Sequence, residues 1–412
     1  ELRESLSGSG RTSTARQGGF RKALVVLEIA LALVLLTGAG LMLKSFFRMR
    51  AVNPGFQPSN VLTLTVDLPD STYRTTAQMK SFHQQILESL ARLPGVLAVG
   101  AVNWLPLRSE FVRGDFQLED GRKLPRGYNV DKPAVSPGYF QTIGIRLLRG
   151  RDFTDRDRAA IGGVAIVSQS VARQFWPDDD ALGKRIAMPD HPKPEDWLTI
   201  VGVVDDVRQQ GLTTKPDPAI YQPYLEENGA FFLAHMTFAV RTAANPRTIA
   251  QAMRRVLHEI DPNQPAGSIA SMADVIAATT TEPRFQTGLL AVFAVLALAL
   301  AAIGIYGVLA YSVFERTHEI GIRMALGART GHVIRMVLRD SLLLAVAGVA
   351  LGTAGALAVT RVLAKLLFDV KPTDPATFVA VALLLTAIAL FAGWVPARRA
   401  IAVDPLTALR FE

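Results

Sequence analysis

Four apolar runs constrain this chain more than any other feature: Ala23–Leu43, Leu289–Val313, Leu342–Val359 and Phe378–Val395. Each is near the ~20 residues that a helix rising 1.5 Å per residue needs to cross ~30 Å of hydrocarbon. The first is followed by a long polar stretch and the other three lie close together. This spacing predicts a linker at 1–22, a first span at 23–43 and an outer domain at 44–287. Further spans are expected at 288–314, 342–364 and 378–395, with an inner loop at 315–341, a short outer loop at 365–377 and an inner tail at 396–412. The fold class expected is a four-span α-helical membrane unit plus an α/β (α+β) extracytoplasmic domain.

Composition agrees. Of 412 residues, 50% are hydrophobic and 19% charged, too apolar for one soluble domain and too polar for a helix bundle alone. There is no cysteine, so the outer domain is held by packing without disulfides, and thiolate zinc sites are excluded. The formal charge of +8 is concentrated beside the spans. The segments 1–22, 315–341 and 396–412 hold 13 Lys/Arg against seven Asp/Glu. That is positive-inside topology, with both ends cytoplasmic, and not an aromatic-studded nucleic-acid face. Residues Glu1–Gln17 read as a flexible tether.

Within the outer domain, Val61–Leu68 alternates as a strand and Thr76–Leu93 places Met79, Phe82, Ile86 and Leu90 at helical spacing. Val96–Asn103 follows as a second strand. The order returns with Met236–Val240, Pro246–Ile260 and Ala266–Ala270. Two β-α-β units separated by an insertion at about 133–224 predict a split ferredoxin-like subdomain carrying a second lobe. The insertion has core signals of its own in Val164–Val167, Val171–Phe175 and Leu198–Val204.

Chemistry is sparse. The phosphate-cradling motif needs glycine directly before its Lys-Ser; Leu43 stands there before Lys44-Ser45, and Gly183-Lys184 is followed by Arg185. His258-Glu259 and His318-Glu319 lack the second histidine of a helical zinc site, with Pro262 and Ile322 in its place. Asp152, Asp155 and Asp157, and Asp178–Asp180, fit turns and caps better than a calcium loop. No cofactor, metal or catalytic group is expected within the chain.

Three features remain. Glu28, inside the first span, is costly there unless it faces a partner; it is either functional or reaches headgroups or a basic residue of another helix. Gly348 and Gly352 have the small-xxx-small spacing that lets spans approach closely. The inner loop Glu315–Asp340 carries five arginines among Ile320, Ile322, Met324 and Leu326. It reads either as an interfacial amphipathic helix or as a docking helix entering a partner's groove.

At this loop Arg316, Glu319, Ile320, Gly321, Ile322, Arg323, Ala325, Leu326, Gly327 and Ala328 form a motif that resembles the cytoplasmic motif of the FtsX/MacB-type ABC transporter permeases. Pro396–Ala400 and Asp404–Arg410 resemble that family's C-terminal ending. Val135–Phe140 and Ala181–Lys184 are similar to stretches of its MacB-type periplasmic domain. The chain is most like one half of the acidobacterial duplicated permeases. The resemblance implies a permease in the bacterial inner membrane with its large domain in the periplasm. It would couple a separate cytoplasmic ATPase, through Arg316–Ala328, to movement of the outer domain. It also implies a second permease copy, as a homodimer or as the other half of a duplicated chain. Membrane lipids and a periplasmic adaptor or hydrolase complete the implied partners. Regulation of a cell-wall hydrolase and lipoprotein release stand as alternatives to export.

Overall fold

In the computed structural model the chain forms two compact units, Glu1–Ala51 with Glu282–Glu412, and Val52–Thr281. The structure describes residues 9–401 apart from 109–111, 155–156, 158–162, 190, 227–228 and 316–329. In chain order the helices are α1 (Ser9–Arg50), α2 (Thr76–Ala91), α3 (Tyr139–Ile143), α4 (Gln169–Phe175) and α5 (Ala230–Ala234). They continue with α6 (Ala250–Ile260), α7 (Met272–Thr279), α8 (Thr281–Glu315), α9 (Thr330–Leu363) and α10 (Pro375–Ile401). The strands are β1 (Val61–Asp67), β2 (Val96–Val102), β3 (Arg113–Gly114), β4 (Gln117–Leu118), β5 (Val130–Asp131), β6 (Ala134–Val135) and β7 (Leu147–Gly150). They end with β8 (Val164–Ser168), β9 (Arg185–Ala187), β10 (Trp197–Val204), β11 (Ile220–Pro223), β12 (His235–Thr242) and β13 (Ile269–Ser271).

Among the described residues four helices, α1, α8, α9 and α10, are long and apolar enough to cross a membrane. Two of them outrun their apolar stretches. The 42 residues of α1 make about 63 Å of helix, twice the ~30 Å of hydrocarbon. The 35 residues of α8 make about 52 Å. The flexible tether expected at 1–17 is corrected in part, because α1 already begins at Ser9. No proline interrupts Ser9–Phe20, and extending a helix already nucleated costs far less than starting one. α10 likewise runs through Pro396 to Ile401, past the expected start of the tail at 396.

The helical unit has a core of small residues, with Ala32, Ala301, Ala345, Ala356 and Ala389 buried beside Ile29, Leu33, Ile305 and Leu385. Lipid is as apolar as leucine, so close backbone approach supplies the packing that hydrophobicity cannot.

In the other unit β13-β1-β12-β2 run antiparallel in that order, the four-strand ferredoxin arrangement split between β2 and β12. α2 is stopped on its N-terminal side by a capping box. Thr75 accepts from the Gln78 N–H, and the Gln78 side chain accepts from the Thr75 N–H. Met79, Phe82, Ile86 and Leu90 of α2 and Met253 and Leu257 of α6 bury against Leu62, Leu64, Phe238 and Val240. Gly100 lets α3 lie on β2: a Cβ there would be 2.5 Å from Tyr139 Cα.

The inserted lobe has its own core of Phe116, Val130, Val167, Phe175, Ile186 and Ile200. It begins earlier than the expected 133, since β4 pairs with β9 and Phe116 and Leu118 are buried in it. Two-residue strands carry too little periodicity to be seen in sequence. β6 and β11 weld the lobes into one sheet. β6 pairs antiparallel with β2 and parallel with β11, and β11 pairs antiparallel with β8.

Candidate functional site

The motif residues Arg316, Glu319, Ile320, Gly321, Ile322, Arg323, Ala325, Leu326, Gly327 and Ala328 lie outside the described residues. Their flanks are described. α8 ends at Glu315 and α9 opens at Thr330. At the start of α9, Arg335 and Arg339 are exposed one turn apart, whereas Val337 is buried in the helical core. The next turn is anchored by Ser341, fully buried, whose hydroxyl donates to the Val337 carbonyl at 3.0 Å and packs on Gly393 of α10.

Basic and aromatic side chains meet at the same end of the unit. The Arg21 guanidinium lies 4.4 Å from the centre of the Tyr311 ring, and Arg398 lies 5.2 Å from that of Trp394. Arg399 donates to the Tyr306 hydroxyl at 2.9 Å. Such amphipathic belts belong at a membrane–water boundary, where a ring can be half apolar and half wet.

Between the ends, α9 closes on α1. A Cβ on Gly348 would stand 2.6 Å from Ile29 Cβ, and one on Gly352 would stand 2.9 Å from both Ala30 Cα and Leu33 Cβ. Glu28 sits on the neighbouring helix pair: its carboxylate enters the space that a side chain on Gly304 of α8 would fill. Glu28 Oε2 is buried with no hydrogen-bond partner among the described residues. Of the readings open for it, pairing with a basic residue of another helix is not seen among the described residues.

At the opposite end the short loop before α10 is strapped to α1. Lys44 Nζ is 2.8 Å from Asp374 Oδ2, Arg48 reaches Asp369, and the Phe368 N–H donates to Ser45 Oγ at 2.8 Å. Asp374 also caps α10, accepting from the Thr377 N–H at 3.1 Å and from its hydroxyl at 2.7 Å. The Lys44 ammonium and the Thr377 donors hold its carboxyl down at about 2. These partners escaped the sequence reading. The signal was a Lys44–Arg48 pair one turn apart just past an apolar run, facing two aspartates in a short loop.

Three of the clustered aspartates of the second lobe, Asp157, Asp179 and Asp180, are occupied. Arg151 donates two hydrogen bonds to Asp157 at 2.6 and 2.8 Å, and Asp157 also accepts from the Thr154 N–H at 2.7 Å. Asp179 pairs with Lys184 at 2.6 Å. Asp180 accepts from the Leu182 N–H at 3.1 Å. A groove of about 290 Å³ beside Trp176 is bordered by Arg122, Lys184 and Arg185, each already on an acid: Asp120, Asp179 and Glu119. Asp155 lies outside the described residues.

The family model described as the MacB-like periplasmic core domain matches residues 23–257, and the one described as the FtsX-like permease C-terminal matches 291–405. A pyoverdine export ATP-binding/permease protein of Pseudomonas savastanoi pv. phaseolicola is 27% identical over 83% of this chain and 53% of its own length. A macrolide export ATP-binding/permease protein of Azoarcus sp. is 26% identical over 95% of this chain and 57% of its own. The chain thus spans about half the length of the curated relatives it matches. Among solved structures, the periplasmic region of MacB from Actinobacillus actinomycetemcomitans aligns with a TM-score of 0.37 at 13% identity, over 55% of this chain and 95% of that one. With one family model covering more than half of its length and a second covering the helices that follow, the chain belongs to the FtsX/MacB-type ABC transporter permease family.

Proposed function

We propose that this chain is the membrane subunit of an exporter in the bacterial inner membrane, with Val52–Thr281 in the periplasm. A cytoplasmic ABC ATPase on a separate polypeptide pushes on Arg316–Ala328, and the helical unit carries the movement outward. The observation that supports this best is the continuity of α1 and α8. Each runs unbroken from the end bearing Arg21 and Tyr311 to beyond its apolar stretch, and the chain between them is the outer domain. A helix without a break transmits displacement along its axis where a hinge would absorb it. The exposed Arg335 and Arg339 carry the run of arginines in the inner-loop sequence onto α9, where an acidic groove would find register.

A second copy completes the unit in this reading. α8 leaves Phe285, Leu289, Val292, Leu296, Leu300 and Ile303 exposed along one face, a stripe open to lipid or to a second α8. Export is favoured over hydrolase regulation or lipoprotein release because the relatives aligned over most of the chain are named for export. The test replaces Ile320 and Leu326 together with Asp and asks whether the ATPase still co-purifies from native membranes. Loss of association with the outer domain still folded supports the coupling role; undiminished association overturns it.

A further inference from the structure

We propose that the last turns of α10, together with Tyr306 of α8, form a binding site for the phosphate of an anionic glycerophospholipid. Arg398 and Arg399 take the phosphate, and Trp394 and Phe391 line the path of an acyl chain.

The site begins as a pattern on one helix. Phe391, Trp394 and Arg398 recur at the spacing of one helix face, and all three are exposed. The Phe391 and Trp394 rings stack 6.2 Å apart at 29°, and the Arg398 guanidinium lies 5.2 Å from the centre of the Trp394 ring. From Phe391 to Arg398 this face rises about 10 Å, passing from ring to ring to cation. A phospholipid has the same order from acyl chain to phosphate. α10 is one of the four helices long and apolar enough to cross a membrane, so an exposed ring pair on it meets lipid. A basic side chain at such a place ordinarily snorkels outward to water. Arg398 instead folds back over a ring four residues nearer the apolar stretch, which holds its charge at the headgroup level where such rings sit.

The second cation comes from the next residue. Arg399, about 100° further round α10, reaches α8 and donates to the Tyr306 hydroxyl at 2.9 Å. That hydroxyl accepts here and keeps its own proton to donate. A guanidinium carries five N–H donors, so one ring contact and one hydrogen bond leave most of the pair's donors unused. Neither arginine has a carboxylate partner among the described residues, whereas Lys44 and Arg48, at the opposite end of the unit, are each on an aspartate. Two guanidinium forks without an acid match the oxygens of a phosphodiester. They also repel the ammonium of a zwitterionic headgroup, which selects a lipid of net negative charge. A free phosphate would occupy the donors and leave the exposed rings uncovered, so the ring face decides for the lipid.

The inference needs α8 and α10 to lie in a bilayer and nothing of the ATPase. Of the four tryptophans in the sequence, Trp394 alone belongs to the helical unit, and its emission is the difference between the full chain and Trp394→Phe. The chain is placed in phosphatidylcholine vesicles holding a minor fraction of phosphatidylglycerol or phosphatidylcholine brominated on the acyl chains, since bromine quenches a ring it touches. Each guanidinium near the surface should favour the anionic lipid about fivefold. Brominated phosphatidylglycerol should therefore quench Trp394 at a mole fraction at least about fivefold lower than brominated phosphatidylcholine. Arg398→Gln with Arg399→Gln should abolish this preference while quenching by brominated phosphatidylcholine persists, because the helix still lies in lipid. Arg335→Gln with Arg339→Gln removes the same charge from α9 and should leave the preference intact. Equal quenching by the two lipids in the unaltered chain overturns the proposal. So does a preference that survives the α10 pair, one lost equally with the α9 pair, or one reversed by millimolar inorganic phosphate, which would mark a site for the free ion.

Discussion

Replacing Gly352 with alanine asks whether the α1/α9 seam holds the helical unit together. The added Cβ would lie 2.9 Å from the Cα and the carbonyl oxygen of Ala30 and from Leu33 Cβ. Carbon atoms rest about 3.5–4.0 Å apart, so two helix backbones must part by more than half an ångström. Neither backbone can rotate away as a flexible side chain would. Overpacking of this kind costs about 1–3 kcal/mol. Alanine regains about 1 kcal/mol over glycine through helix propensity, leaving a net loss of roughly 0–2 kcal/mol. Gly307 of α8 supplies the control, because a Cβ there meets nothing within 4 Å. Gly307→Ala should be neutral or stabilising by up to about 1 kcal/mol. Reversible unfolding of the purified full chain in mixed micelles reads both. Equal shifts of the same sign would refute the reasoning, since propensity would then explain everything and the seam nothing.

Two further outcomes can be checked on the same preparation. His83 is fully buried, its Nε2 is 2.8 Å from the Leu233 carbonyl, and burial pushes its pKa from 6.5 down to about 4. Stability from this group is complete above pH 6.5 and is lost as pH falls toward 4, by about 3 kcal/mol in all; His83→Gln should flatten that slope, and an unchanged acid profile would contradict the assignment. Asp374→Ala removes both the α10 cap and the Lys44 pair and should cost about 1–2 kcal/mol, whereas Asp374→Asn keeps the cap and should cost less than half as much; equal losses would show that the cap contributes little.

The spans and the split ferredoxin half were legible because each rests on a long periodic signal. Hydrophobic runs of about 20 residues have few soluble explanations. Met79, Phe82, Ile86 and Leu90 recur at the spacing of one helix face and are buried together. What sequence could not show depends on which residues meet. Glu28 was conspicuous, but nothing in the text of the chain said that it lies against Gly304 rather than a basic residue. Lys44 and Asp374 are 330 positions apart, and pairing at that range is set by how the helices pack. The early start of the inserted lobe was hidden because β3 to β6 are two residues each.

The central claim is that the inner loop and the domain between α1 and α8 lie on opposite sides of the membrane, joined by unbroken helices. Single cysteines at Gln174 and Thr317, probed in intact cells with a membrane-impermeant maleimide, test it most directly. Labelling of Gln174→Cys with protection of Thr317→Cys until the cells are permeabilised is the result required. Equal labelling of both before permeabilisation would contradict it.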